Sequence, residues 1–352
     1  MLLNKVIIVR QAEHVYAFAY SADKLVFVTH DLPSAASESI FYAKITKLNA
    51  ANHTAFVEYL PGLSGFINLP PKLNVQSGSL LPVQLTWQGN EQKQVKLRYG
   101  WSLIGKYVVY LAEIPARIKA TDISQTLRDK LTQVVQEFPA QWVLRSCVDD
   151  KLDFAVVAEE MKDLYQQVLT IKANAKRGQV YAGIANYLKL LRSLKLAENC
   201  EIISNDPLIH EQLLAYQNLW QIDILSFDPK LNGAELITEY KHLLASSLVN
   251  LSNGASLEIN TLSGISLIDV NSNQSNLAGH KLNFLVLDAI YQQICLRNLQ
   301  GIILLDLVKN MSDAEQQRIL LYLTKLFKND ITNTKILGFS HSGLCEIIRN
   351  KF

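Results

Sequence analysis

Two short apolar stretches in the C-terminal third of the sequence each end in an aspartate. The run "GISLIDVNSN" reaches Asp269 and continues to an amide at Asn271, and the run "GIILLDLVKN" reaches Asp306. Each stretch has the pattern of a β-strand, and ligands gather at the carboxyl ends of the strands in open α/β sheets. If the two strands are neighbours, the two carboxylates repel one another unless a proton or a cation lies between them.

Carboxylate oxygens together with water molecules are ligands that suit Mg²⁺ or Mn²⁺. A cation held by Asp269 and Asp306 would polarise a phosphodiester and lower the pKa of a bound water. Asn271 points to the same side of an extended chain as Asp269, where its amide can orient a water or a phosphate oxygen. The alternative is that each aspartate only caps the helix or turn that follows it. The pattern leaves both interpretations open.

The composition is that of a globular protein with several domains. The chain has 352 residues, of which 49% are hydrophobic and 19% charged, and its net charge is +2. One hydrophobic core rarely supports a chain of this length. The apolar runs are far shorter than the ~20 residues of a membrane span, so no span is expected. Four scattered cysteines without CxxC spacing argue against structural zinc and against disulfides, and they favour a cytoplasmic location.

Residues 36–115 have the pattern of a small β-barrel of the OB type, with about five short strands separated by turns such as "PGLSG" and "QGNEQ". Such barrels bind single strands by stacking bases on exposed aromatic side chains beside a positive groove. Phe56 and Phe66 are candidates for this stacking, and Lys106 is one of several basic residues nearby. The alternative is that both rings belong to the barrel core.

Residues 116–200 show the three- and four-residue spacing of apolar positions that predicts helices, and Ser124 is placed to cap the first helix. Between two such helices lies "QWVLRSCVDD", a strand followed by Arg145 and Ser146. An arginine beside a hydroxyl is suited to a terminal phosphate, because it combines bidentate charge with a neutral hydrogen bond. Most exposed arginines are merely solvated, so the dipeptide alone decides nothing. Residues 201–245 and 246–352 alternate strands and helices, which predicts α/β layers.

The C-terminal segments "LIDVNS", "NFLVLDAIYQQICLRNLQGIILLDLV" and "SHSGLCEIIR" resemble, in this order, the catalytic region of the ribonuclease E/G family. Upstream, "FYAKITKLNAANHTAFVEYLPGLSGFINLP" is similar to the family's OB-type RNA-binding domain, and "WVLRSC" occurs where the family's 5′-end sensor begins. The resemblance covers nearly the whole chain. It implies a multidomain α+β and α/β fold, with an RNase H-like scaffold (1–35 plus 201–245), an inserted OB-fold barrel (36–115), a helical 5′-sensor region (116–200) and a DNase I-like catalytic domain (246–352).

The resemblance also implies roles for particular residues. Asp269 and Asp306 match the metal-binding carboxylates and Asn271 their hydrogen-bonding companion. The expected activity is cleavage of single-stranded RNA with Mg²⁺, with Mn²⁺ as a substitute, leaving a 5′-phosphate product. Arg145 and Ser146 match the pair that grips an RNA 5′-monophosphate, with Ser in place of the family's Thr. The match implies RNA-binding roles for Phe56, Phe66 and Arg349, and for Arg349 an ordinary surface arginine is an equal alternative. Lys106 is an RNA-binding candidate because of its position near the predicted barrel, not because of the match.

The sequence also departs from the family pattern. The family's Glu-Ala-Leu-Thr before the first metal aspartate is replaced within residues 261–266, and a further family Asp is replaced by Lys309 or Asn310. Loss of such supporting acidic groups weakens a metal site or alters its geometry. The family's cysteine zinc motif has no counterpart, so no zinc and no zinc-linked pairing of subunits are expected, while other modes of oligomerisation stay open. The alternative function is therefore a catalytically degenerate member of the family that binds RNA without cutting it.

Overall fold

The computed structural model describes residues 2–31, 38–49, 51–87, 95–112, 117–119, 123–145, 147–148, 151–262, 264–277, 279–308, 311–328, 330–350 and 352. Within these residues the chain is a mixed α/β protein with 21 strands and seven helices. It divides into two compact units. The first comprises Met1–His30, Ser193–Leu213 and Ile222–Phe352, and the second comprises Asp31–Arg192 and Leu214–Gln221.

The first unit contains a five-stranded sheet in the order β15-β14-β1-β2-β3. Its strands are β1 (Leu2–Gln11), β2 (His14–Ser21), β3 (Lys24–Asp31), β14 (Lys195–Ser204) and β15 (Ile224–Phe227). β1 pairs in parallel with β14 and antiparallel with β2. Four consecutive apolar residues of β1, from Val6 to Val9, are all buried, because both faces of this strand are covered. The helices α4 (Pro207–Gln217) and α5 (Gly233–Ala245) follow β14 and β15 in the chain, and Ile237 of α5 packs against Phe18.

A second sheet of the first unit has the order β16-β17-β18-β19-β21-β20. Its strands are β16 (Leu248–Asn250), β17 (Ser256–Leu262), β18 (Ile265–Asn271), β19 (Gly301–Asp306), β20 (Thr334–Phe339) and β21 (Cys345–Arg349). Alternate residues, including Ile268, Ile303 and Ile347, are buried in one core with α6 (Gly279–Leu296) and α7 (Asp313–Phe327). The helix α7 begins with a capping box in which Ser312 and Glu315 bond each other's backbone.

The opposite face of this second sheet is exposed and partly apolar. Leu262, Ile265, Ile302 and Ile348 lie side by side on four adjacent strands, and their side chains are 79%, 45%, 44% and 38% exposed. Because side chains alternate along a strand, Asp269 and Asp306 lie on this same exposed face. The two aspartates therefore border an apolar surface instead of the helix-covered core.

The second unit contains a closed barrel of five strands, paired in the cyclic order β4-β5-β6-β8-β7-β4, with β13 added beside β4. These strands are β4 (Ile40–Asn49), β5 (Thr54–Leu60), β6 (Leu63–Asn68), β7 (Leu80–Trp87), β8 (Val95–Tyr99) and β13 (Gly178–Tyr181). A Cβ on Gly65 would lie 2.6 Å from Leu97 Cδ1. A larger residue at this position would therefore displace the buried Leu97 side chain where β6 pairs with β8.

A small sheet and two helices complete the described core of the second unit. The sheet has the order β11-β12-β10-β9 and comprises β9 (Ser102–Ile104), β10 (Val108–Leu111), β11 (Arg117–Lys119) and β12 (Gln141–Leu144). It packs against α1 (Gln125–Glu137) and α2 (Phe154–Ala173), and α3 (Asn186–Ser193) follows β13. The cap of α1 that the sequence predicts is present, because Ser124 Oγ accepts a hydrogen bond from the Leu127 amide at 3.2 Å.

The described parts of the chain contain no helix that is both long and apolar enough to cross a membrane. All four cysteines are free thiols.

Arg349 and Asp330 form an ion pair inside the first unit. Both side chains are 0% exposed, and Arg349 donates from Nε and Nη2 to the two carboxylate oxygens of Asp330 at 2.8 and 3.0 Å. The remaining nitrogen, Nη1, donates to Asn298 Oδ1 and to the Leu299 carbonyl. The guanidinium thus meets oxygen acceptors in a buried environment, which makes the pair a structural element of this unit.

Replacing Arg349 by methionine should lower the free energy of unfolding by about 3–5 kcal/mol, because Asp330 would be left as an uncompensated buried charge. Urea denaturation followed by circular dichroism measures the difference. The matched control is Lys162→Met, which removes a 3.4 Å ion pair with Glu159 whose side chains are 55% and 56% exposed. That change should alter stability by less than about 1 kcal/mol. A stability loss for R349M no larger than that of the control would contradict the structural role of the buried pair.

Candidate active site and nucleic-acid interface

The structure brings Asp269 and Asp306 together. The strands β18 and β19 are parallel neighbours, and their register pairs Asp269 with Asp306 at the carboxyl end of both strands. Neighbouring strands are about 4.8 Å apart, so side chains on one face at this level lie within reach of a shared ion. Both aspartates are partly exposed. The two carboxylates therefore form an accessible pair at the end of the sheet where α/β proteins collect their ligands.

Asn271 and Glu258 flank the pair. Asn271 donates from Nδ2 to Asp269 Oδ2 at 3.0 Å, which holds that carboxylate in one orientation. Glu258 on β17 is in register with Asp269 on the other side, so three acidic residues lie at one level of three adjacent strands. The ion pairs recorded among the described residues include neither Asp269 nor Asp306. Like charges at this spacing attract a cation.

The carboxylate oxygens of Asp269 and Asp306 are ligands of the kind that a hard divalent cation accepts. Within the described ranges no group of three or more His, Cys, Asp and Glu side chains is arranged to hold a metal, so Glu258 does not join the two aspartates in such a group. Mg²⁺ commonly binds through one or two carboxylates and keeps several waters. Asp269 and Asp306, partly exposed and steadied by Asn271, match that requirement.

Phe56 and Phe66 lie on the outside of the barrel. They are cross-strand partners on β5 and β6, with ring centroids 5.8 Å apart and an interplanar angle of 65°. Their neighbours along the strands, Val57 and Ile67, are buried in the barrel core. The alternation of the strands therefore places both rings outside the core, half-buried against one another, with part of each ring accessible to a base.

Two lysines extend the aromatic pair into a row across four strands. Lys47 on β4 is in register with Phe56, and Lys96 on β8 is in register with Phe66. Both lysines are exposed. Phe56, Phe66, Lys47 and Lys96, here called the aromatic–lysine row, combine ring faces with positive charge, which is what proteins that hold single-stranded nucleic acid use.

Arg145 follows β12 in the second unit. Its Nη1 donates to the carbonyls of Gly105 and Arg192 at 2.7 and 3.2 Å. Burial and the neighbouring Arg192 guanidinium lower the pKa of Arg145. A partly buried guanidinium that is held in place in this way is suited to binding an anion. Ser146, the predicted hydroxyl partner, lies outside the described residues.

Two of the predicted RNA-binding cations have other partners in this structure. Lys106 is half-buried, and its ammonium group donates to the Trp220 carbonyl and lies 5.9 Å from the centre of the Tyr107 ring. Arg349 is buried in the ion pair with Asp330. The placement of Arg349 does not support direct contact with RNA, because its guanidinium would have to leave both Asp330 and the core. The same burial excludes the alternative interpretation of Arg349 as an ordinary surface arginine.

The sequence interpretation did not single out Glu160, a residue that organises the surroundings of Arg145. Glu160 is 2% exposed, and its carboxylate accepts hydrogen bonds from three consecutive backbone amides, those of Lys106, Tyr107 and Val108. Burial raises the pKa of Glu160, and the three amides act in the opposite direction. The signal was present, since Glu160 occupies an apolar position of α2 beside the buried Val157 and Met161.

Comparison with known proteins identifies relatives over most of the chain. The model of the family described as "Ribonuclease E/G family" matches residues 102–352. Ribonuclease G of Escherichia coli K12 is 25% identical over 303 residues, which cover 79% of this chain and 60% of that protein. The putative ribonuclease E of Buchnera aphidicola is 23% identical over 355 residues, covering 88% of this chain and 85% of that protein. A ribonuclease E/G-like protein of Porphyra purpurea is 24% identical over 294 residues.

The chain spans about 60% of the length of the Escherichia coli relative that it matches. The family model covers well over half of the chain, including β18, β19 and the Asp269–Asp306 pair. The chain belongs to the ribonuclease E/G family.

Proposed function

We propose that this chain is a metal-dependent endoribonuclease that cuts single-stranded RNA in RNA processing or decay. The observation that carries the proposal is the register of Asp269 with Asp306 on two parallel strands, on an exposed sheet face. The relatives are named ribonucleases, which gives the reaction class. Geometry thus supports the site, and family membership supports the reaction class.

Asp269 and Asp306 would hold a Mg²⁺ ion, with Mn²⁺ as a substitute, because both ions accept carboxylate and phosphate oxygens. When bound, such an ion polarises the phosphodiester and lowers the pKa of a coordinated water, and the family resemblance implies products with 5′-phosphates. Asn271 fixes the orientation of the Asp269 carboxylate through its 3.0 Å hydrogen bond. Glu258 adds a third negative charge at the same level, which strengthens the attraction for a cation.

Within this proposal, each sheet corresponds to one domain of the family. The β15-β14-β1-β2-β3 sheet would be the RNase H-like scaffold, and the β16–β21 sheet with α6 and α7 would be the DNase I-like catalytic domain. The closed five-stranded barrel would be the OB-type domain. Four free cysteines suit a reducing compartment, which supports a cytoplasmic location.

The aromatic–lysine row would hold the RNA strand by stacking bases on Phe56 and Phe66, while Lys47 and Lys96 bind the phosphates. Arg145, with Ser146, would favour RNA that carries a 5′-monophosphate. The support for this role is the anchored, partly buried Arg145 guanidinium, since a dianionic phosphate binds more strongly in a desolvated site than at an open surface.

The second candidate function, RNA binding without cleavage, rests on the missing acidic groups. Lys309 and Asn310, which replace one of them, lie outside the described residues, and so does Ser263 within residues 261–266. Leu262 and Ile265 lie within that segment, on the sheet face of the aspartate pair but at the opposite end of β18 from Asp269, and their side chains are exposed. Exposed apolar residues in the segment where the family has an acidic group are the observation that favours the degenerate alternative.

Replacing Asp306 by asparagine should reduce cleavage of a 5′-monophosphorylated, A/U-rich single-stranded RNA by at least roughly a hundredfold, because one of two metal-holding carboxylates is lost. The measurement is the rate of product formation with Mg²⁺ and with a chelator, by gel electrophoresis. Affinity for the same RNA, measured by fluorescence anisotropy, should change little.

The matched control for this experiment is Asp313→Asn, an exposed aspartate at the first position of α7. It should cleave at the wild-type rate. Wild-type cleavage by D306N would refute the catalytic assignment. If the wild-type protein binds this RNA but leaves it intact with Mg²⁺, the degenerate alternative is correct.

Replacing Phe56 by alanine should weaken binding of single-stranded RNA by about tenfold to a hundredfold, because each stacked base contributes roughly 1–3 kcal/mol. Phe66→Ala should have a similar effect, since the two rings lie against one another. The dissociation constants are measured by fluorescence anisotropy at one fixed salt concentration. The control is Phe227→Ala, which removes a 43% exposed ring of β15 in the first unit and should leave affinity unchanged. Equal affinities of F56A and F227A for the RNA would contradict the stacking role of Phe56.

A further inference from the structure

Glu160 is a buried acid whose neighbours are the backbone amides of one turn. It lies on α2, is 2% exposed, and accepts hydrogen bonds from the amides of Lys106, Tyr107 and Val108 at 2.6, 2.7 and 3.0 Å. The amides of Lys106 and Tyr107 belong to the turn between β9 and β10, residues 105–107, here called the β9–β10 turn, and Val108 is the first residue of β10. One carboxylate thus accepts from three consecutive amides at the end of this turn.

The carbonyl groups of the β9–β10 turn are held from the other side. Arg145 donates from Nη1 to the Gly105 carbonyl at 2.7 Å and from its backbone amide to the Tyr107 carbonyl at 2.8 Å. Cys147 donates from Sγ to the Lys106 carbonyl at 3.0 Å. The turn therefore connects Glu160 to Arg145, and the position of the Arg145 guanidinium depends on where Glu160 holds the turn.

The Glu160 carboxylate lies directly against Gly105. A Cβ on Gly105 would lie 2.3 Å from the carboxyl carbon and from Oε2 of Glu160. The carboxylate consequently packs directly on the backbone of Gly105, the residue whose carbonyl receives Arg145 Nη1. A shift of this carboxylate would move the Gly105 carbonyl and the guanidinium together.

We propose that Glu160 is a positioning residue for the recognition of RNA 5′-ends by Arg145. The inference rests on the proposed 5′-monophosphate sensing and deepens it. Among the described residues, the hydrogen bonds of the Arg145 guanidinium both use Nη1, so a terminal phosphate would meet the edge formed by Nε and Nη2. Glu160 sets the direction of that edge through the turn, without touching the RNA. A displacement of about 1 Å in such an arrangement is enough to change recognition strongly.

The test compares two RNAs of identical sequence that differ only in a 5′-monophosphate or a 5′-hydroxyl. Their dissociation constants are measured by fluorescence anisotropy with a chelator present, so that the readout does not depend on cleavage. For the wild-type protein the monophosphorylated RNA should bind more tightly. Glu160→Gln keeps the shape of the side chain but presents an NH₂ group to a backbone N–H donor, so the preference should fall by about tenfold, the equivalent of one hydrogen bond to a charged group.

The matched control is Glu159→Gln, the preceding residue, whose side chain is 56% exposed. It should keep the wild-type preference. An E160Q protein with an unchanged preference would overturn the positioning role while leaving 5′-sensing intact. A wild-type protein without any preference would overturn the sensing itself, and the positioning role with it.

A double-mutant cycle separates positioning from general structural damage. If Glu160 acts through Arg145, the variant that combines Glu160→Gln with Arg145→Gln should lose no more preference than Arg145→Gln alone. Additive losses would overturn the proposal. If E160Q does not fold, as judged by circular dichroism, Cys147→Ala takes its place, because it removes another hydrogen bond to the same turn. A reduced preference in C147A would then support the proposal, and an unchanged preference would overturn it.

Discussion

The parallel pairing of β18 with β19 is the constraint on which the candidate active site depends. This pairing puts Asp269 beside Asp306, and antiparallel pairing with β17 adds Glu258 at the same level. Parallel strands require a crossover connection, which here is α6, and the buried face of that helix forms the core under the sheet. The burial of α6 therefore stabilises an arrangement of like charges that the aspartates alone would oppose.

Strand alternation made the aspartate pair predictable from the sequence. Each aspartate ends an apolar run, and the register follows once the runs are neighbours in a parallel sheet. The barrel and the cap at Ser124 were also predictable, because turn residues, strand patterns and capping residues are local signals in the sequence. The boundaries of the four domains and the roles of the site residues remain predictions.

Residues whose roles depend on long-range partners were not predictable in this way. Arg349 was assigned to RNA binding from its position in a family motif, but it shares one face of β21 with Cys345 and Ile347 and so lies on the core side of the strand. Only the fold shows that Asp330 is there to pair with it. Glu160 was missed for a related reason. The three groups that donate hydrogen bonds to it are backbone amides, which no side-chain motif records.

Two environments for aspartate in the first unit show why the exposed pair points to a ligand. Asp330 is fully buried, and its charge is balanced inside the protein by the bidentate Arg349 guanidinium and by two threonine hydroxyls. Asp269 receives a single amide from Asn271, and its described strand neighbours at that level are the acids Glu258 and Asp306. A structural aspartate is compensated from within the fold, as Asp330 is. The described residues place no cation beside Asp269 and Asp306, and this difference from Asp330 is the physical ground for proposing that a hard divalent ion binds the exposed pair.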